Sequence, residues 1–316
     1  MFAVRGIAVS FSVFVMVYCV LSLAVCSVWR SFLPHAQHSS VRRIADLLFA
    51  LRIFPLATAA VITAAFTVPS FLLLEPRAIE EPIGGIPLVL GLCGAALGIF
   101  GLLNAAVAMR RASRAIRGWT QGANPIAASA PVPVLRIVRP VPALIAVGIA
   151  RPRVLLSGAA ESVLSANELQ AALNHEVAHV RRRDNLKKLL LRFVAFPGMS
   201  ALEAAWLEAT EMAADEAAVW SAGEALDLAA ALIKLSKLSP AEPTVDLTAA
   251  LLHSPAATVN ARVERLVAWS DACRVPPQKY SPWFGTTAAL ATMAVFAVTY
   301  SQLLVHLHTA TEWLVR

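Results

Sequence analysis

Four stretches of the chain stay apolar for about as long as a helix needs to cross a hydrocarbon core, some 20 residues. They run from Ile7 to Trp29, Ile53 to Leu74, Ile83 to Met109 and Trp283 to Val305. Between the third and the fourth the pattern changes. Val134 to Arg139, Pro142 to Ile149 and Arg153 to Ser157 are short β-branched runs broken by prolines, which predicts two or three short strands, with Gly158 at the turn out of the last. Ser165-Ala-Asn-Glu168 then has the form of a capping box, and Leu169, Leu173, Val177 and Val180 recur at helical spacing, predicting one helix over Ala166–Phe193. Pro197-Gly198 breaks it. A second helix is expected from Met199 to Ala222, with Gly223 just past its end, and amphipathic helices follow at Leu226–Leu238 and Val259–Trp269.

This pattern describes a mainly α membrane protein with four transmembrane helices and an α+β domain inserted between helices three and four. Residues 1–111 form a three-helix bundle, 112–133 a linker rich in Gly, Ala, Ser, Pro and Asn, 134–280 the inserted domain, 281–308 the fourth helix, and 309–316 a short tail. The first stretch is longer than a signal-peptide core, and its small-x-small triplets lie inside the apolar run, so it reads as an uncleaved helix. Composition agrees: 58% hydrophobic against 15% charged residues, with a mean hydropathy of +0.66, excludes an ordinary soluble domain.

The net charge of +7 orients the chain. Arg30, Arg42, Arg43 and Arg52 flank the first two spans and Arg110, Arg111, Arg114 and Arg117 follow the third, whereas the intervening loop carries Glu75, Glu80 and Glu81 against Arg77. Basic segments mark the cytoplasmic side, so both termini are expected outside and residues 110–280 in the cytosol. In the third span Gly91, Gly94, Gly98 and Gly101 share one helical face, a surface for close helix packing. A transport path would want ionisable residues buried in the spans, and only Arg52 and Asn104 come near, both close to the basic, cytosolic side. Cys19, Cys26, Cys93 and Cys273 stand singly and form neither a disulfide framework nor a CxxC metal site.

The candidate chemistry lies in His175-Glu-Val-Ala-His179, an HExxH placed well inside the expected helix. Residues four apart stack one turn above each other, so both imidazoles can face one metal while Glu176 reaches the water beside it. A catalytic zinc with two His needs a third protein ligand and an open position. Glu211 is the best candidate, because Glu211-Met-Ala-Ala-Asp215 puts two carboxylates on one face of the next helix. Asp215 would accept the other ring N–H of a ligating His, and the spacing does not say which. The bland alternative is a solvated acidic face; HExxH followed by ExxxD argues against it.

The run from Glu168 to Asn185, ELQAALNHEVAHVRRRDN, resembles the membrane metallopeptidases of the BlaR/MecR type, and more distantly HtpX and the CAAX prenyl endopeptidases. The resemblance takes in Arg151-Pro-Arg-Val-Leu-Leu-Ser157, HExxH, Asp184 five residues past the second His, Pro197 and EMAAD, together with the layout of spans. It implies a gluzincin-type domain with His175, His179 and Glu211 on one catalytic Zn2+, Glu176 as general base and Asp184 behind the ligands, in the cytoplasmic membrane of a bacterium. It also implies a protein or peptide substrate, by analogy a transcriptional repressor. His253 before Pro255 is similar to the distant relatives' downstream His-Pro segment, with Ser254 intervening, and is a candidate proton donor on that resemblance. Arg262 and Arg265 match a recurring helix and are expected in structural ion pairs. Sensor members of the family carry a large penicillin-binding domain after the last span, whereas about eleven residues follow Val305 here, so no β-lactam is expected to bind by that route.

The remaining features read plainly. Arg181, Arg182, Arg183, Lys187 and Lys188 are expected against anionic lipid heads, and no aromatic interleaving suggests direct nucleic-acid binding. His35 with His38, and His306 with His308, stand at membrane boundaries without an evident acidic partner. Two other functions remain open: a quality-control protease like HtpX, which would cleave unfolded membrane proteins broadly, and a signalling scaffold stiffened by a metal.

Overall fold

The computed structural model describes residues 2–36, 40–75, 84–127, 130–138, 143–193, 196–238, 249–250, 256–269, 300, 302–306 and 308–310. The chain runs as α1 (Phe2–Ala36), α2 (Val41–Ile62), one π-helical turn (Thr63–Thr67), α3 (Val68–Leu74), α4 (Gly85–Thr120), β1 (Asn124–Ile126), β2 (Val134–Ile137), β3 (Leu144–Val147) and β4 (Arg153–Ser157). It continues as α5 (Gly158–Val163), α6 (Ala166–Arg181), α7 (Asp184–Phe193), α8 (Ser200–Ala218), α9 (Ala222–Leu238), β5 (Ala249–Ala250) and α10 (Ala256–Val267). Three helical stretches, Phe2–Ser31, Val41–Leu74 and Gly85–Thr120, are long and apolar enough to cross a bilayer, which makes this a multi-pass membrane protein. Most of the fourth expected span, and Cys273, lie outside the described residues.

The chain divides into two compact units, 1–31 with 51–100 and 275–316, and 32–50 with 101–274. In the first, two of the four aligned glycines let α4 approach α1: a Cβ on Gly91 would sit 3.0 Å from backbone atoms of Ala8, and one on Gly94 2.9 Å from the Phe11 carbonyl. Ser12 Oγ adds a contact of 2.9 Å to the Pro87 carbonyl. Tyr300 Oη donates to the carbonyl of Ala65, in the π-helical turn, at 2.7 Å. Arg5 and Glu75 form an ion pair at 2.9 Å, and His308 Nε2 stands 3.8 Å from Glu75, so this boundary histidine does meet a carboxylate.

The second unit is built on a five-stranded mixed sheet in the order β1-β2-β4-β3-β5. β2 and β4 run parallel, and the other pairs are antiparallel. Both faces are covered, which is why the strands read as continuous apolar runs. Val134, Leu144, Val154 and Leu156 face one core with Ala172 and Leu173 of α6 and Leu228, Leu232 and Leu235 of α9. The alternate positions Ile137, Ile145, Val147 and Leu155 face Ile116 and Trp119 at the end of α4. Residues 112–133, expected as a linker, thus carry the last turns of α4 and strand β1.

Two helix expectations are corrected. The single helix over Ala166–Phe193 is two, because Arg183 adopts a left-handed backbone with φ 55° and turns the chain before Asp184 starts α7. Gly223 lies inside the first turn of α9, since the chain extends at Val219 and restarts with Ser221 Oγ accepting from the Glu224 amide at 3.3 Å and Glu224 Oε2 accepting from the Trp220 amide at 2.5 Å. The basic run also turns inward in part: Lys188 is buried, Arg182 stands 3.6 Å from Asp184, and Lys187 lies 3.1 Å from Asp46.

Candidate metal centre

The start of α6 is fixed by the capping box in both directions. Ser165 Oγ accepts from the Glu168 amide at 3.3 Å, and Glu168 Oε2 accepts from the Ser165 amide at 2.8 Å and from Lys234 at 2.7 Å. From there the helical repeat carries His175 and His179 to the same buried face, with 0% and 3% exposure. Their Nε2 atoms are 3.1 Å apart and the rings meet edge to face. Helix α8 packs beside α6 and brings Glu211 to them: Oε2 is 3.6 Å from His175 Nε2, and Oε1 is 3.6 Å from His179 Nε2. The three side chains offer ligand atoms all within 4.8 Å of one another, a group able to hold a metal ion.

The far side of each imidazole is occupied by a carboxylate. Asp215, one turn beyond Glu211, stands 2.9 Å from His175 Nδ1, which answers the question the spacing left open. Asp184 stands 2.8 Å from His179 Nδ1. At His179 the Asp184 carboxylate accepts the Nδ1–H, an arrangement that turns the ring's Nε2 toward Glu211. The break after Arg181 is what brings Asp184 back to His179, since an uninterrupted helix would carry it away along the axis.

Glu176 is fully buried. Its Oε2 accepts from the Ala146 amide of β3 at 2.6 Å, while Oε1 has no hydrogen-bond partner among the described residues. Burial pushes this carboxyl up to about 7, against the pull of His179 and His175. Burial acts on Glu211 and Asp215 in the same direction, but the neighbouring His and Arg262 charges outweigh it and hold both below the usual carboxylate range. For His175 burial opposes protonation, and its contacts with Asp215 and Glu211 win, raising it to about 9. Lys188 is held below its ordinary value by burial, offset in part by the charges of Glu211, Asp184 and Glu176.

The structure thus gathers His175, Glu176, His179, Glu211, Asp215 and Asp184 around one point, while His253 lies outside the described residues. Arg262, expected in a structural ion pair, does more: it meets Asp215 with Nε and Nη2 at 2.7 and 2.6 Å and Glu211 with Nη1 at 3.1 Å. Its signal in the sequence was a single cation on the apolar face that Val259 and Leu266 define in α10. Among the described residues Arg265 pairs with Glu216, at 3.9 Å. Sequence reasoning missed Ala146 and Asn185 altogether, because the one acts through its backbone and the other, donating to the Ala146 and Gly148 carbonyls at 3.2 and 3.3 Å, is a contact across the fold.

Comparison with known proteins agrees with this geometry. No curated protein matches the chain. The family model described as BlaR1 peptidase M56 matches residues 88–266, a span that holds α6, α8 and nearly all of α10 and so every residue of the cluster. The chain therefore belongs to the BlaR1 peptidase M56 family, and that membership makes it a metallopeptidase.

Proposed function

We propose that the protein is a zinc metalloendopeptidase of the bacterial cytoplasmic membrane, with its catalytic domain in the cytosol and a cytosolic or membrane-adjacent protein as substrate. The observation that carries this reading is the convergence of His175 Nε2, His179 Nε2 and the Glu211 carboxylate, with each His Nδ1 already taken by an aspartate. Two imidazole nitrogens and one carboxylate are the donor set of a catalytic zinc, and no cysteine among the described residues joins them. His175, His179 and Glu211 would hold the ion in a gluzincin-type site.

Zinc bound there would supply Lewis acidity, lowering the pKa of water and polarising a peptide carbonyl. The protein supplies the proton acceptor. Glu176 Oε1 is buried and has no partner among the described residues, and its carboxyl, pushed up to about 7, is matched to taking a proton from water and passing it to the leaving amine. The Ala146 amide fixes the other oxygen, so the carboxylate cannot swing away. Asp184 holds His179 in one tautomer, Asp215 stands 2.9 Å from His175 Nδ1, and Arg262 holds Asp215 and Glu211. An extended substrate would add to an edge of the sheet. A transcriptional repressor is the substrate the family resemblance favours, and broad cleavage of unfolded membrane proteins would favour quality control.

The test is metal content and cleavage on detergent-solubilised wild type and Glu176→Gln, each given a candidate winged-helix repressor and an unfolded membrane protein. About one zinc per chain in both, as a single catalytic site requires, with cleavage lost only in the variant, is the expected result. Cleavage retained by Glu176→Gln would remove Glu176 from its role.

A further inference from the structure

A cavity of about 400 Å³ opens beside His179, between the β3–β4 turn and the turn that joins α6 to α7. Ile149 and Pro152 wall it on one side and Leu186 on the other. Asn185 makes that wall rigid, since its amide donates to two carbonyls at the end of β3. Among the described residues that line the cavity, Arg183 carries the one permanent charge.

Arg183 is unusual in two ways. It is the only non-glycine among the described residues with a positive φ, a conformation that costs a branched-chain or long side chain stability and that persists where the surroundings enforce it. Its side chain is exposed and pairs with no described acidic group, whereas its neighbour Arg182 stands 3.6 Å from both Asp184 and Asp46. An unpaired guanidinium beside apolar walls suits a ligand with an apolar stem and a carboxylate end, which the planar fork binds with two hydrogen bonds. Arg151, Arg153 and Arg181, all exposed and likewise without an acidic partner among the described residues, give the same sign of charge to the segments on either side.

We propose that this cavity receives a carboxylate-bearing residue of the peptide substrate and that Arg183 selects it. The proposal takes the use of the cavity from the peptidase reading above, but the binding it asserts does not need catalysis. It makes the preferred substrate segment acidic.

The test is binding to the full-length Glu176→Gln protein in detergent, read by calorimetry. The probes are acetylated and amidated Ala-Ala-Glu-Ala-Ala, its Gln counterpart, and the Gln peptide with a free C-terminus. The Glu peptide is expected to bind about tenfold more tightly than the amidated Gln peptide, as one charge-assisted pair provides. Tight binding of the free-terminus peptide instead would assign the cavity to a terminal carboxylate. Arg183→Gln, added to that background, should erase the difference, Ile149→Trp should weaken both peptides by filling the cavity, and Arg153→Gln should leave the preference intact. Unchanged thermal unfolding midpoints show that the variants fold. Equal affinity for the Glu peptide and the amidated Gln peptide, or a preference that survives Arg183→Gln, overturns the proposal even where the wild type cleaves. An Arg183-dependent preference in a protein whose wild type cleaves nothing supports the cavity and counts against the peptidase reading.

Discussion

Arg262 and Asp215 close on each other with two parallel contacts, Nε to Oδ2 at 2.7 Å and Nη2 to Oδ1 at 2.6 Å, although the two residues are 47 positions apart. Both side chains are buried, and Asp215 Oδ1 also faces His175 Nδ1 at 2.9 Å. The guanidinium is thus the counter-charge that lets two carboxylates, Asp215 and Glu211, sit side by side in a dry interior. Arg262→Met leaves both uncompensated and is expected to destabilise the domain by about 3–5 kcal/mol. Arg262→Lys keeps the charge without the fork and should recover only part of this. Thermal unfolding in detergent reads the difference, and an unchanged midpoint for Arg262→Met would show that the pair holds nothing together.

Asp215 and Asp184 each fix one imidazole, so each should control metal affinity without touching the ion. Asp215→Asn and Asp184→Asn are each expected to weaken zinc binding by about 10–100-fold. Competition with a chelating dye measures it, and Asp215→Asn should lose at least as much as Asp184→Asn, because it also breaks the buried pair with Arg262. Wild-type affinity in either variant would mean that the ring it faces is oriented by something else.

In the membrane unit, Gly94 has no room for a side chain. Gly94→Leu places carbon atoms where the Phe11 carbonyl and the Val15 side chain stand, and should cost about 1–3 kcal/mol through displaced packing of α1 on α4. Gly98→Leu, where no described atom lies within 4 Å of the added Cβ, is the matched control and should unfold with the wild type.

Glu168 gives a pH dependence remote from the metal. Burial alone would raise its carboxyl, but the hydrogen bond from Lys234 and the amide of Ser165 lower it below its ordinary value. A depressed folded-state pKa stabilises the protein above the unfolded pKa, and that stabilisation is lost as pH falls through the folded one. Glu168→Gln keeps a capping amide and loses the ion pair. Its unfolding midpoint should lie below that of the wild type at pH 7, with the gap closing as pH is lowered through the acidic range. A gap constant with pH would assign the effect to the cap and not to the charge.

What the sequence made legible was local. His175 and His179 one turn apart, Glu211 and Asp215 one turn apart, and Ser165 with Glu168 each announce their geometry, because a helix fixes the separation of residues four apart wherever it sits. The matching of Asp215 to His175 and Asp184 to His179 was not legible, since it depends on how α8 meets α6 and on a turn at Arg183 that Arg-Arg-Arg gives no reason to expect. Gly223 misled for a related reason: glycine after an alanine-rich run marks a helix end, but Ser221 and Glu224 capped a new helix across it. Arg262 was visible as a cation on an apolar face, and its partner was not, because nothing in α10 points to a residue in α8.

The amide of Ala146 is the hand that steadies Glu176, and its carbonyl accepts from Asn185. Both contacts belong to the peptide backbone, so a systematic alanine scan passes over this position in silence and most side-chain replacements there report only on packing. Proline is the exception, because it deletes the N–H. An ester in place of that one amide would remove the donor while leaving every side chain unchanged, and would expose a contribution to the site that ordinary mutagenesis is built to overlook.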